Sequence, residues 1–469
     1  MSVKLPDKGQ WVFIGLVMCL VTYYAGSVAV YFFNHKTPLF IWKNFDSMLL
    51  WWLMTESNIR TSIRFTAIPS LLSGMAASLI VPVFIIWQIN KKDFSLYGDA
   101  KFASDDDLSK SKLLKWEKEN DSDILVGVYK GKYLWYTAPD FVSLGAGTRA
   151  GKGAAIGIPN LLVRKHSLIA LDPKQELWKI TSKVREVLLQ NKVFLLDPFN
   201  SKTHKFNPLF YIDLKAESGA KDLLKLIEIL FPSYGMTGAE AHFNNLAGQY
   251  WIGLAKLLHF FINYAPDWLN EFNLKPVFSI GSVVDLYSNI DRENVLSNRE
   301  DFEGVAGLDE TALFHLRHAL TKIREYHETE DEQRSSIDGS FRKKMSLFYL
   351  PTVRKCTDGN DFDLRQLRRE DISIYVGVNA EDMSLAYDFL NLFFNFVVEV
   401  TLRENPDFDP TLKHDCLMFL DEFPSIGYMP IIKKGSRNIT GFKLKLLTIY
   451  QNISQLNEIY GIEGAKTLM

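Results

Sequence analysis

The stretch FVSLGAGTRAGKGAAIGIPNLL, residues 141–162, decides how the rest of the chain is read. It runs from an apolar, strand-like start through a loop of small residues into a helical pattern. Phosphate binding needs a tight turn whose backbone N–H groups converge on the anion, a helix N-terminus behind it, and a cation to meet the outer phosphate. The run Gly147-Thr148-Arg149-Ala150-Gly151 suits that turn, and Lys152 is the cation. The helix is expected to begin there and run through Ala154 and Ile156 until Pro159. Two positions depart from the common phosphate loop. Ala146 stands at its usual first glycine, and Gly153 stands where a Ser or Thr hydroxyl normally holds magnesium. Alone, the loop also reads as a glycine-rich strand-to-helix turn with an exposed lysine.

The second half of a nucleotide site lies far along the chain. Cys416-Leu417-Met418-Phe419-Leu420 reads as a buried strand that ends in Asp421 and Glu422. Two acids at the tip of an apolar strand are costly to bury without a task. Asp421 is placed to hold magnesium, directly or through water, and Glu422 to take a proton from an attacking water. Gln451 ends the next strand-like run, where an amide can orient that water or sense the outer phosphate. An exposed, merely polar strand end is the plainer reading of each. Without a hydroxyl at Gly153, the ion would rest on Asp421, water and the phosphates, with Thr148 as a further candidate.

Outward from these two blocks, short apolar runs alternate with helical stretches. HSLIALDP (166–173), KVFLLDPF (192–199), ISIYVGVN (372–379), CLMFLDEF (416–423) and LKLLTIYQ (444–451) are strand-like. Runs of this kind between helices predict an α/β domain with a parallel sheet covered on both faces. ILVGVYKGKYLWYT (124–137) predicts a hairpin around Lys130-Gly131-Lys132, and Asp105-Asp106-Asp107 a helix N-terminus. Residues 215–350 break the rhythm and read as an all-helical insertion, with DEQRSSIDGS (331–340) as a polar loop inside it.

The N-terminal part differs in character. WVFIGLVMCLVTYYAGSVAVYFF (11–33) has no charged residue and would make a helix of about 35 Å, enough to cross a membrane core. FTAIPSLLSGMAASLIVPVFIIWQI (65–89) is a second uncharged run. Two transmembrane helices with an intervening loop are therefore expected within residues 1–92; two buried core helices are the alternative. Lys and Arg are spread over both sides, so the orientation follows the chemistry: a site for cytosolic ATP puts both ends in the cytoplasm and the loop in the periplasm. The expected order is then 1–92 membrane anchor, 93–214 first part of the nucleotide-binding domain, 215–350 inserted all-α domain, and 351–469 second part. Across 469 residues the net charge is −2, which does not mark the chain as a nucleic-acid binder. Three separated cysteines exclude a disulfide framework or a Cys-based zinc site as the organising principle. His315 and His318 share a helical face, with no third ligand near them in sequence.

These blocks together resemble the type IV secretion coupling proteins. The resemblance rests on YGDAKFAS (97–104), AGTRAGKGAAIGIPNLL (146–162), LDPKQELW (171–178), LDPFN with the later NPL (196–209), FLDEFPSIG (419–427) and YQNISQLNEIYG (450–461). In that family the loop also tends to carry Gly after the Lys and can begin with Ala. The resemblance implies a RecA-like P-loop domain with an inserted all-α domain, anchored by two transmembrane helices in the bacterial inner membrane and assembled as a homo-hexamer. It further implies ATP and Mg²⁺ as cofactors, components of the type IV secretion machinery as partners, and relaxase-bound single-stranded DNA or effector proteins as cargo. An arginine from a neighbouring subunit normally completes such a site, and Arg437 lies where it is expected. Asp172, Lys174 and Glu176 belong to a family block without an evident role. Three functions stay open: an ATPase that drives transfer, a substrate-docking receptor whose nucleotide serves assembly, and a chromosome-partitioning DNA pump of similar fold.

Overall fold

The computed structural model describes residues 103–138, 140–147, 150–233, 236–430 and 439–468, with Val17 and Val83 as isolated positions. The two expected membrane segments, Thr148, Arg149 and Arg437 lie outside the described residues. Among the described residues no helix is long and apolar enough to cross a membrane.

Among the described residues nine strands form two sheets. β1 (Leu114–Lys115), β2 (Ile124–Tyr129) and β3 (Lys132–Tyr136) make a small antiparallel sheet in the order β1-β3-β2. The hairpin between β2 and β3 turns at Lys130 and Gly131, both with positive φ, which matches the twist of the flanking strands. Its first strand is tied down by one side chain. Asn160 Oδ1 accepts from the Leu125 amide at 2.8 Å, and Asn160 Nδ2 donates to the Leu125 carbonyl at 2.8 Å.

The main sheet is all parallel. It comprises β4 (Val142–Gly145), β5 (Leu168–Leu171), β6 (Lys192–Leu196), β7 (Ile372–Val376), β8 (Cys416–Leu420) and β9 (Leu444–Tyr450). Their spatial order is β4-β9-β8-β5-β7-β6. Every residue of β5, β7, β8 and β9 is buried, which is why those strands read as apolar runs rather than alternating ones. Neighbours along each strand enter different cores. Leu168 and Ala170 pack with Leu417, Phe419 and Leu447 on one face; Ile169 and Leu171 join Met418, Leu420 and Leu446 on the other.

Helices cover both faces. α1 (Ile158–Val163) and α2 (Glu176–Val187) supply Leu161 and Leu177 to the first face. The long connection from β6 to β7 is without strands among its described residues. It carries α3 (Gly219–Leu230), α4 (Gly238–Tyr264), α5 (Ile280–Asn289), α6 (Glu310–His327), α7 (Asp331–Met345) and α8 (Pro351–Thr357), with shorter turns between them. α4 is buried on nearly all sides over its second half, so it forms the centre around which the others pack. α9 (Tyr387–Leu402) and α10 (Ile453–Leu468, kinked at Gly461) complete the second face. The core of the helical insertion is continuous with that face of the sheet.

Two local expectations are corrected. Residues 331–340 are the start of α7, not a loop. Ile337, Phe341 and Met345 are buried four residues apart, so a single narrow apolar stripe holds an otherwise polar helix in place. The helix after the phosphate loop passes through Pro159 to Val163. Residues Gly153–Gly157 form a wide π-type turn, and Pro159 then sits in the first turn of α1, where a missing amide hydrogen is tolerated.

Candidate nucleotide-binding site

All six parallel strands end on the same edge of the sheet, and the connections after five of them line one cleft of about 720 Å³. Ala150 to Ala154 and Ile158 come from the loop and helix after β4. Asp172, Lys174, Glu176 and Leu177 follow β5; Ala380 and Met383 follow β7; Asp421, Glu422 and Ser425 follow β8; Gln451 follows β9. An open parallel sheet binds ligands at this edge, outside the carboxyl ends of its strands.

The loop after β4 is shaped by close approach. A Cβ at Gly145 would stand 2.9 Å from the Tyr450 ring, and the Ala146 amide donates to the Tyr450 carbonyl at 3.2 Å. Gly151 has φ +74°, a conformation that glycine adopts without penalty. The carbonyl of Gly151 accepts from the Ala155 amide at 2.8 Å, closing the first turn of the helix. The same helix runs close over β8, since a Cβ at Gly157 would meet the Phe419 ring at 2.9 Å. Lys152 Nζ donates to the Ala146 carbonyl at 2.7 Å and weakly to that of Gly147 at 3.4 Å, so the ammonium lies folded over its own loop.

The acids sit across from it. Burial pushes the Asp421 carboxyl above the ordinary aspartate range, and the charge of Glu422 adds to the push; Lys152 and Lys174 oppose it. Glu422 adopts the left-handed region at φ +75°, a strained conformation for a residue with a side chain. That twist turns the chain immediately after the buried strand. Ser425 then fastens it, with its amide and its hydroxyl both donating to the Glu422 carbonyl at 3.0 and 2.7 Å. Gln451 Nε2 donates to Glu422 Oε2 at 2.8 Å. The amide thus holds the carboxylate directly.

Asp172 acquires a role that the sequence left open. It is buried, and its Oδ2 accepts from the Trp178 amide at 2.7 Å at the N-terminus of α2. Burial raises its carboxyl above the ordinary range, and Asp421 adds to this. Gln175, also at positive φ, bonds the Gly377 carbonyl at 2.9 Å and Asp197 Oδ2 at 3.1 Å. The block LDPKQELW therefore pins the β5 end to those of β6 and β7 and presents Lys174 and Glu176 to the cleft.

Of the residues expected to meet, Ala150, Gly151, Lys152, Gly153, Asp421, Glu422 and Gln451 line this one cleft. Gly147 belongs to the loop leading into it. Ser425, Ala380 and Met383 were not singled out in the sequence; the signal that finds them is their position just past the carboxyl ends of β8 and β7. The residues present suit a nucleoside triphosphate with a hard cation. Backbone turns and a lysine face an acid whose carboxyl is raised above the ordinary range by burial, and such an acid gains from a bound cation.

Comparison with known proteins places this geometry. The family model described as Type IV secretory system Conjugative DNA transfer matches residues 101–469. The chain is 25% identical over 402 residues to conjugal transfer protein TraG of Escherichia coli, covering 78% of this chain and 59% of the relative. It is 27% identical over 353 residues to protein VirD4 of Agrobacterium fabrum, covering 72% of this chain and 47% of the relative. The chain thus spans between about half and three-fifths of the length of these relatives. The solved structure of the bacterial conjugative coupling protein TrwB overlaps with a TM-score of 0.49 at 15% identity, over 75% of this chain and 70% of that one.

Proposed function

The chain belongs to the type IV secretory system conjugative DNA transfer family, and from that premise we propose that it is an ATP-hydrolysing coupling protein of the bacterial inner membrane. In this reading it is anchored by helices at about 11–33 and 65–89, and the nucleotide-binding domain is RecA-like, divided by the all-α insertion. It recruits relaxase-bound single-stranded DNA or effector proteins and couples hydrolysis to their delivery into a type IV secretion channel. The observation that carries the reading is the convergence of Lys152, Asp421, Glu422 and Gln451 on one cleft from three separate strand ends.

ATP with Mg²⁺ supplies the transferable phosphoryl group and the cation that shields its charge. Lys152 would meet the outer phosphates, and the loop that ends in Gly151, Lys152 and Gly153 would offer them backbone N–H groups. Asp421 would hold the cation, directly or through water, and the charge of that cation would favour the ionised carboxylate. Glu422 accepts the proton of the attacking water. Gln451 keeps the Glu422 carboxylate aimed through its hydrogen bond. Arg437 of a neighbouring subunit completes the site in a homo-hexamer.

Lys152→Ala tests the motor role in the full chain in its membrane. ATP hydrolysis and transfer should both be lost while membrane insertion is retained; undiminished transfer would overturn the proposal. The lack of a hydroxyl at Gly153 favours one second reading, a docking receptor in which nucleotide serves assembly. Glu422→Gln separates the two: export that continues without turnover supports the receptor.

A further inference from the structure

The opposite, amino edge of the parallel sheet carries a cluster that the nucleotide site does not use. His166 lies just before β5, Asp371 just before β7 and His414 just before β8, so three non-consecutive segments bring them together. The two rings are 4.5 Å apart between centroids. Asp371 Oδ1 is 3.0 Å from His166 Nδ1 and 2.6 Å from His414 Nδ1. His166 Nε2 is 3.1 Å from Asp121 Oδ2. Among the described residues this is the one group of three metal-ligating side chains whose ligand atoms all lie within 4.8 Å of one another.

Counting protons shows what the cluster lacks. His166 faces a carboxylate oxygen from each of its two ring nitrogens, yet a neutral imidazole carries a single N–H. If that hydrogen goes to Asp121, the Nδ1 lone pair points at the Asp371 oxygen, acceptor against acceptor. The contact is favourable only with a positive charge between the two atoms: a second proton, or a cation. His414 Nδ1 turns to the same oxygen, so two imidazole nitrogens and one carboxylate oxygen are gathered within 4.8 Å of one another. Neutral imidazole paired with carboxylate is the donor set that suits zinc and its neighbours, and it does not suit magnesium or calcium.

We infer that His166, Asp371 and His414 bind a divalent transition metal of the zinc class, with Asp121 orienting His166 from behind. A carboxylate on the far nitrogen of a ligating histidine is the usual outer support of such a site. Four-coordinate zinc with bonds near 2.0 Å separates its ligands by about 3.3 Å, so the Asp371 oxygen must draw back by about 0.3 Å from His166 and about 0.7 Å from His414 to admit it. The side chains of His166, Asp371 and His414 keep 20%, 17% and 21% of their exposure, which leaves an entry path and room for water as fourth ligand. Bound there, the metal fastens the starts of β5, β7 and β8 on the edge away from the cleft.

The test uses the full-length chain, stripped with a chelator and titrated with zinc chloride in excess Mg²⁺ and without nucleotide. One zinc should bind per chain, and the melting temperature should rise with it. Asp121→Asn should weaken binding about 10-fold, within the range for lost outer support. His166→Gln with His414→Gln should abolish it. Cobalt(II) in the unsubstituted chain should give the intense visible bands of a four-coordinate site with nitrogen ligands, a readout that does not depend on any variant folding. A chain that takes up no zinc, or takes it up equally after the double substitution, overturns the inference.

Discussion

Asp421 is the residue at which stability and function pull apart. Its carboxyl is raised above the ordinary range, first by burial and then by the charge of Glu422. The folded chain therefore holds that proton more tightly than the unfolded chain does. The resulting stabilisation is complete below the ordinary aspartate range and is lost as pH rises through the raised value. At neutral pH the ionised carboxylate burdens the nucleotide-free fold. Asp421→Asn should then raise the melting temperature of the nucleotide-free chain by about 2 °C at neutral pH. The gain should shrink to nothing as the pH is lowered into the carboxylate range. The same substitution should weaken Mg²⁺-dependent nucleotide binding. Scanning calorimetry across that pH interval, with and without nucleotide, checks both halves. A melting temperature that falls at neutral pH contradicts the account.

At the scale of elements, the turn after β8 and the helix α7 make opposite demands on glycine. Gly427 has φ +82° and ψ −159°, a region that essentially only glycine occupies, and a Cβ there would stand 2.1 Å from the Tyr387 hydroxyl oxygen. Gly427→Ala should destabilise the chain by about 2–4 kcal/mol and displace Glu422 at the other end of that turn. Chemical denaturation measures the first effect and ATP turnover the second. Gly339 lies inside α7 with open space around it. Gly339→Ala should stabilise by about 0.5–1 kcal/mol, the helix-propensity difference. A loss of stability there would contradict a helix over these residues. The sequence hides this helix because three apolar residues four apart are a faint signal among Arg, Ser and Lys. The strands were legible for the converse reason: burial on both faces leaves uninterrupted apolar runs, as in Cys416–Leu420. Their spatial order was not legible, since no local pattern states that β9 lies between β4 and β8. The cleft was legible because phosphate and acid chemistry concentrates residue types in short blocks. The His166–Asp371–His414 cluster was not, because each member stands alone before a different strand.

At the scale of the molecule, the question is whether the helical insertion is a separable body. Residues Asp105–Met469 form one compact unit, and a single core runs from the sheet strands into the insertion. Phe206, wholly buried on the way out of β6, shows why. Its ring meets Phe362, Tyr211, Phe393 and Phe396, and its amide donates to the Cys356 carbonyl at 2.8 Å. The partners come from before the insertion, from its end and from α9, so neither part completes its packing without the other. Phe206→Leu should therefore cost about 1–3 kcal/mol and act on both parts at once. Helical circular dichroism, to which the insertion contributes heavily, and the fluorescence of a bound nucleotide analogue, which reports the cleft, should fall in one transition. The substitution should shift that transition to lower temperature without splitting it. Helical signal that outlasts the release of nucleotide would mean that the insertion folds on its own, and that the shared core does not couple it to the cleft.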